Sequence, residues 1–131
     1  MAAMPPPERP FREYFLRPSR IGRMESAQGA GEAANEVCGD WVRFHLRQDQ
    51  GRIAAASIQV RGCSATIATA SLAAEALEGL DLAAARGLDI ADLARSRGAT
   101  HRDLGHAPAV VTRAIAAALA GLASDCQASG D

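Results

Sequence analysis

Hydrophobic and polar residues alternate along the middle of the chain. Val42, Phe44 and Leu46 are separated by single polar residues, which is the period of a half-buried β-strand. Residues 49–51, Asp-Gln-Gly, then supply turn chemistry, and apolar positions recur with the same period over residues 53–61. The two segments predict a β-hairpin.

The second half of the chain has helical features instead. An alanine-rich run over residues 65–77 predicts a long helix, with Ser64 as its cap and Gly79 as its stop. The segments that open with Asp81 and Asp89 each start with a residue that favours a helix amino end and are each followed by a glycine. They predict two short helices.

A last helix is predicted from Pro108 onwards, because proline suits the first helical position. Apolar residues recur there at helical spacing, at Val111, Ile115, Ala118, Leu119 and Leu122. Near the amino end, residues 11–16 predict a short helix that docks through its aromatic side chains. Residues 24–36 are small and polar, and are predicted to be a mobile lead into Cys38.

Composition fixes the fold class. Hydrophobic residues make up 48% of the 131 residues, but only one tryptophan, one tyrosine and three phenylalanines are present, so the apolar weight falls on alanine. The prediction is an α+β fold in which a small antiparallel sheet of two to three strands packs against several helices. Residues 1–10 are predicted to be a disordered arm, residues 11–123 one domain, and residues 124–131 a flexible tail.

Charge and hydropathy exclude several classes of function. Fourteen basic and fifteen acidic residues give a net charge of -1, which favours neither nucleic acid nor a membrane surface as a partner. No apolar run approaches the roughly 20 residues that span a bilayer, and the first ten residues do not resemble a signal peptide. We therefore expect a cytoplasmic protein.

Four side chains at the boundaries of the predicted elements are candidates for metal chemistry. They are Cys38 and Asp40 before the first hairpin strand, Cys63 before the alanine-rich helix, and His106 before the last helix. Thiolate, imidazole and carboxylate can complete a zinc site, and Cys with His also ligate iron-sulfur clusters. His45 and His101 are assigned no role in this site.

The spacing of these four residues leaves structural interpretations open. Cys63 could be a small buried hydrophobe, Asp40 a loop carboxylate that bonds a backbone amide, and His106 a solvated loop residue. An odd number of cysteines makes a disulfide framework a poor explanation and suits free or metallated thiols.

Several short motifs follow one another along the chain: YFLRPSRIG at residues 14–22, Cys-Gly-Asp at residues 38–40, Gly-Cys-Ser at residues 62–64 with IATAS at residues 67–71, and AIAAAL at residues 114–119. In this order they resemble the motifs of the NifU/IscU-type iron-sulfur cluster assembly scaffolds. The resemblance implies a SufE/NifU-like fold and a protein that is not an enzyme. It implies that iron or a labile [2Fe–2S] cluster, or zinc in its place, binds to Cys38, Asp40, Cys63 and His106.

The resemblance also implies partners. A cysteine desulfurase would supply sulfur and acceptor proteins would receive the cluster, while Asp40 would keep the cluster labile because a hard oxygen holds iron less firmly than thiolates do. Whether two chains form a homodimer that shares one cluster is left open.

Two departures from the family pattern limit these implications. Ala107 stands where the family places a third cysteine, and Cys126 lies beyond the last predicted helix. The Leu-Pro-Pro-Val-Lys stretch that engages a dedicated Hsp70 chaperone is replaced by residues 100–105, so that partner is not expected. A NifU-like binding module that docks on a desulfurase or client, with structural zinc or no metal, is therefore an alternative; a Cys63–His106 hydrolase is disfavoured.

Overall fold

The computed structural model describes the backbone of residues 9–130 and the side chains of residues 9–122, so most of the predicted arm and the side chain of Cys126 lie outside the described residues. Along this described part of the chain the elements are α1 (Phe11–Leu16), β1 (Gly29–Asn35), β2 (Asp40–Asp49), β3 (Arg52–Arg61), α2 (Ser64–Leu77), α3 (Leu82–Arg86), α4 (Ile90–Ser96), α5 (His101–Leu104) and α6 (Ala107–Gly130). The predicted α+β class is confirmed. The division into arm, domain and tail stays a prediction.

The three strands form one antiparallel sheet in the order β1-β2-β3. The predicted hairpin is confirmed, with Gln50 and Gly51 at positive φ in its turn. Its register places Trp41, at the start of β2, opposite Arg61, at the end of β3. The residues just before Trp41 and just after Arg61 therefore meet at one end of the sheet.

Strand β1 corrects the prediction of a mobile lead before Cys38. Its glycines lie on the inner face of the sheet, where a Cβ on Gly31 would come closer than 3.0 Å to the backbone of Ala117 and Ala118. Helix α6 thus packs directly on the strand backbone. The small and polar residues of this segment predicted that it would not fold by itself. Pairing with β2 orders it, and because its glycines have no side chain, α6 can pack directly on the strand.

Helices α2 and α6 cover one face of the sheet and enclose the main core, which includes Val42, Phe44, Leu46, Ile58, Leu77, Val111 and Leu122. Helix α1 packs on α2 through Phe11 and Tyr14, as predicted, whereas Phe15 is 45% exposed. Aspartates 81 and 89 cap α3 and α4 with their side chains, as predicted. No helix in the described part of the chain is long and apolar enough to cross a membrane.

The opposite face of the sheet is crossed by the chain before β1. Gly22 donates a backbone hydrogen bond to Ile58 on β3, and Gln28 donates one to Leu46 on β2. The residues between them have to pass over the face that the helices leave open. His45 on that face is only 6% exposed, and its Nε2 lies 2.9 Å from Gln59 Oε1, so it belongs to the sheet and not to the candidate site.

Candidate functional site

Cys38 lies in the tight loop between β1 and β2. The loop closes through a hydrogen bond from the Gly39 N–H to the Asn35 carbonyl at 2.8 Å, with Gly39 at φ 75°. The Asn35 side chain accepts a second bond from the Val37 N–H at 3.1 Å. Val37 is 94% exposed and Cys38 is also exposed. The loop therefore presents this thiol to solvent.

Cys63 directly precedes α2. It has extended backbone geometry at the N-cap position, and its carbonyl accepts hydrogen bonds from the N–H groups of Thr66 and Ile67, both at 3.1 Å. The predicted cap, Ser64, is instead the first helical residue, and no side chain caps this helix. Cys63 Sγ lies 3.5 Å from Thr66 Oγ1, at a helix end that carries partial positive charge.

Asp40 links the Cys38 loop to the short connection between β3 and α2, which consists of Gly62 and Cys63 and is called the Cys63 loop below. It opens β2, is only 3% exposed, and its Oδ1 accepts a hydrogen bond from the backbone N–H of Cys63 at 3.1 Å. Gly62 makes this approach possible, because it has φ 150° and a Cβ there would come closer than 3.0 Å to Asp40 Oδ1. The amide bond that the sequence left open for Asp40 is therefore present.

The fourth candidate is His106. It is exposed and directly precedes α6, as predicted, and its carbonyl accepts a hydrogen bond from the Val110 N–H at 3.3 Å. Ala107, the next residue, is buried with 1% exposure. Within the described residues, no three His, Cys, Asp or Glu side chains are grouped so that they could hold a metal ion. The structure thus brings Asp40 and Cys63 together, and the four-ligand set stays a prediction.

An aromatic and charged cluster flanks the site and was not anticipated from the sequence. The Arg61 guanidinium lies 5.1 Å from the centre of the Trp41 ring, and the Trp41 indole N–H donates to Glu32 at 3.3 Å. Hydrogen bonds from Trp41 and Arg43 lower the pKa of Glu32. The register of the hairpin could have predicted this cluster, because it places Trp41 opposite Arg61.

Comparisons with known proteins agree with this architecture. Residues 10–126 match the family described as the NifU-like N terminal domain. The chain is 37% identical over 67 residues to the iron-sulfur cluster assembly scaffold protein IscU 1 of Archaeoglobus fulgidus, a match that covers 51% of this chain and 44% of that protein. It is 38% identical over 74 residues to the nitrogen fixation protein NifU of Cereibacter sphaeroides, covering 56% of this chain and 30% of that one. The match thus spans less than half of these relatives.

Solved structures share the fold. A NifU-like protein (N-terminal) from Brucella abortus superposes with a TM-score of 0.69 at 18% identity, covering 87% of this chain and 92% of that one. A candidate cluster assembly scaffold for the SUF system from Fervidobacterium islandicum gives 0.67 at 17%, covering 83% and 93%. At these identities the likeness concerns the fold alone. The family match over most of the chain is decisive: this protein belongs to the NifU-like N-terminal domain family.

Proposed function

We propose that this protein is an iron-sulfur cluster assembly scaffold. The observation that carries the proposal is the hydrogen bond from the Cys63 backbone N–H to Asp40, which fixes two candidate ligand residues next to each other where the Cys38 loop meets the start of α2. Relatives that carry the name of assembly scaffold support it and favour it over the binding-only alternative. The cargo is iron or a labile [2Fe–2S] cluster.

The exposure of the two thiols suits a cargo that enters and leaves. Cys38 and Cys63 are both exposed, so partner proteins can reach the thiols without unfolding the core. Asp40 commits Oδ1 to an amide, and an oxygen ligand among thiolates holds iron weakly. A scaffold that releases its product needs a weak fourth ligand of this kind.

Loading requires the four donors to come together, because within the described residues no three of them are grouped to hold a metal ion. The Cys38 loop projects into solvent and His106 is exposed, so neither is held away by core packing. Two thiolates, one imidazole and one carboxylate make four donors, a set that also accepts zinc. Ala107 adds no thiol, and we propose that this chain assembles its cluster without a third family cysteine. Its proposed partners are a cysteine desulfurase and cluster-accepting proteins.

Anaerobic reconstitution tests the proposal. Apo-protein treated with ferric iron and inorganic sulfide should develop the visible charge-transfer bands of a [2Fe–2S] cluster, with iron and sulfide in equal amounts. Cys38→Ala and Cys63→Ala should abolish the bands, whereas Cys126→Ala should retain them and serves as the matched thiol control.

The variant Ala107→Cys separates the two functional readings. If it forms a cluster and the native chain does not under any condition, the assembly proposal fails and the binding-only alternative stands. If the native chain forms the cluster, two cysteines suffice. Because Ala107 is buried, folding of this variant should be verified by circular dichroism.

A further inference from the structure

A cavity of about 640 Å³ opens beside the Cys63 loop. Its walls come from α1, from the first turns of α2 and from the turn between α4 and α5, and Ser64 and Ala65 belong to its lining. The cavity therefore begins at the residue next to the Cys63 thiol. The Asp40–Cys63 pair does not account for it, since neither residue lines it.

Apolar side chains of α1 line one wall of the cavity, and two of them are exposed to solvent. Phe11 is buried at the bottom against the neighbouring helices, but Phe15 is 45% exposed and Leu16 is 63% exposed. They are two of the four large apolar side chains exposed among the described residues. Exposed apolar side chains in the lining of a cavity mark a contact area for another molecule.

The rim of the same cavity is positively charged. Arg12 and Arg102, both exposed, line it against the single carboxylate of Asp103, while the half-buried Arg97 also lines it and donates a hydrogen bond to the Tyr14 hydroxyl at 3.4 Å. Asp103 is already engaged, because it accepts the Thr100 N–H at 2.8 Å in a capping box. Arg12 forms no ion pair within the described residues. Since the whole chain carries a net charge of -1, this concentration of positive charge is local.

We propose that this cavity docks an extended segment of a partner protein that carries a large apolar side chain flanked by carboxylates. The apolar wall takes the side chain, and the arginine rim takes the carboxylates. A small anion would satisfy the rim but leave Phe15 and Leu16 uncovered. The inference rests on the proposed function, because a scaffold must bring the proteins that supply or receive cargo next to Cys63.

Titrating the isotope-labelled full chain with synthetic peptides tests the proposal. The probe is a blocked pentapeptide with a central phenylalanine between two acidic residues on each side. One comparison peptide has lysine in place of the acids, and another has alanine in place of phenylalanine. The acidic peptide should shift amide signals of α1, α5 and the start of α2, and both comparison peptides should bind at least about tenfold more weakly.

Two pairs of charge reversals, one at the rim of the cavity and one outside it, provide the test variant and its control. Arg12→Glu with Arg102→Glu should weaken binding of the acidic peptide at least about tenfold, because surface charges contribute modestly and reversal doubles the effect. Arg23→Glu with Arg47→Glu changes the net charge equally at exposed positions outside the cavity, and should leave affinity unchanged. All four arginines are exposed, and circular dichroism verifies folding.

Three results would overturn the docking proposal. They are equal affinity for acidic and lysine peptides, signal shifts confined to other surfaces, and displacement of the peptide by succinate at comparable concentration, which would indicate a small-anion site. The titration uses apo-protein, and cluster reconstitution with iron and sulfide needs no partner. Failure of one experiment therefore leaves the other proposal standing.

Discussion

The carboxylate of Asp40 accepts a hydrogen bond from the backbone N–H of Cys63 at 3.1 Å, although 23 residues separate them in sequence. The bond joins the end of the Cys38 loop to the start of α2, so it fixes the position of one candidate ligand loop relative to the other. Asp40 is buried at 3% exposure, which shields the bond from water.

Replacing Asp40 should release the Cys63 loop only when the acceptor oxygen is lost. Asp40→Asn keeps an amide oxygen at that position, whereas Asp40→Ala removes it. We expect hydrogen exchange of the Cys63 amide to rise by about tenfold or more in Asp40→Ala, and by much less in Asp40→Asn.

Hydrogen exchange of the Cys63 amide, measured by NMR, distinguishes a role of Asp40 in holding the Cys63 loop from a role as metal ligand alone. Unfolding free energy is a poor readout, because losing the hydrogen bond and relieving the burial of a charge oppose each other. The exchange rate of the Val37 amide, which bonds Asn35 within the other loop, serves as an internal control. Equal protection of the Cys63 amide in both variants would contradict the prediction.

Gly62 is predicted to tolerate no side chain. In Gly62→Ala the methyl group would meet Asp40 Oδ1 at a residue with φ 150°, so backbone strain and a clash with a buried carboxylate add. We expect the free energy of unfolding to fall by about 2–4 kcal/mol in urea titration. Gly79→Ala is the matched control, because φ is 91° there but no atom lies within 4 Å. A loss no larger than that of Gly79→Ala would show that Asp40 moves aside freely.

Sequence patterns predicted the strands and helices that depend on hydrophobic periodicity or on a helix cap. The hairpin followed from alternation around Phe44, and the short helices from their opening aspartates, Asp81 and Asp89. The mobile lead was wrong because composition does not reveal that glycine backbone on β1 can pair with β2 and receive α6. The short helix α5 was also missed. It has a capping box formed by Thr100 and Asp103, but its four helical residues are too few to show a periodic pattern.

The candidate site shows a different limit of sequence reasoning. Motif resemblance selected Asp40 and Cys63, and the strand register brings them together. Spacing along the chain could not reveal that, among the described residues, no three candidate side chains are grouped to hold a metal ion. It also could not reveal the cavity beside Cys63, because its lining comes from three distant segments.

Helix α6 is predicted to require Gly31 for its approach to the sheet. A Cβ on Gly31 would come closer than 3.0 Å to backbone atoms of Ala117 and Ala118, and helix backbone cannot give way as a flexible side chain can. Gly31→Ala should therefore lower the free energy of unfolding by about 1–3 kcal/mol. Gly87→Ala is the control, since its Cβ would make only ordinary contacts from 3.7 Å outwards and neither glycine has positive φ. Similar midpoints of urea unfolding for the two variants would contradict direct packing of α6 on β1.

Glu75 on α2 is predicted to stabilise the fold in a pH-dependent way. Burial alone would raise its pKa, but hydrogen bonds from Ser19 and Tyr14, together with the charge of Arg9, outweigh burial and lower the pKa below its ordinary value. A carboxyl group with a lowered pKa in the folded state contributes stability above the pKa of the unfolded chain, about 4.3, and loses it as the pH falls through the folded value.

The variant Glu75→Gln should therefore unfold about 1–2 kcal/mol more easily than the native chain at pH 7, because its hydrogen bonds no longer involve a charge. The difference should shrink as the pH falls below about 4, where the native carboxylate also becomes protonated. Urea titrations between pH 3 and pH 7 measure it, with Glu25→Gln, an exposed carboxylate, as the matched control. A difference that stays constant across this range would mean that shape and packing at Glu75, and not its charge, hold α1 and the Ser19 segment against α2.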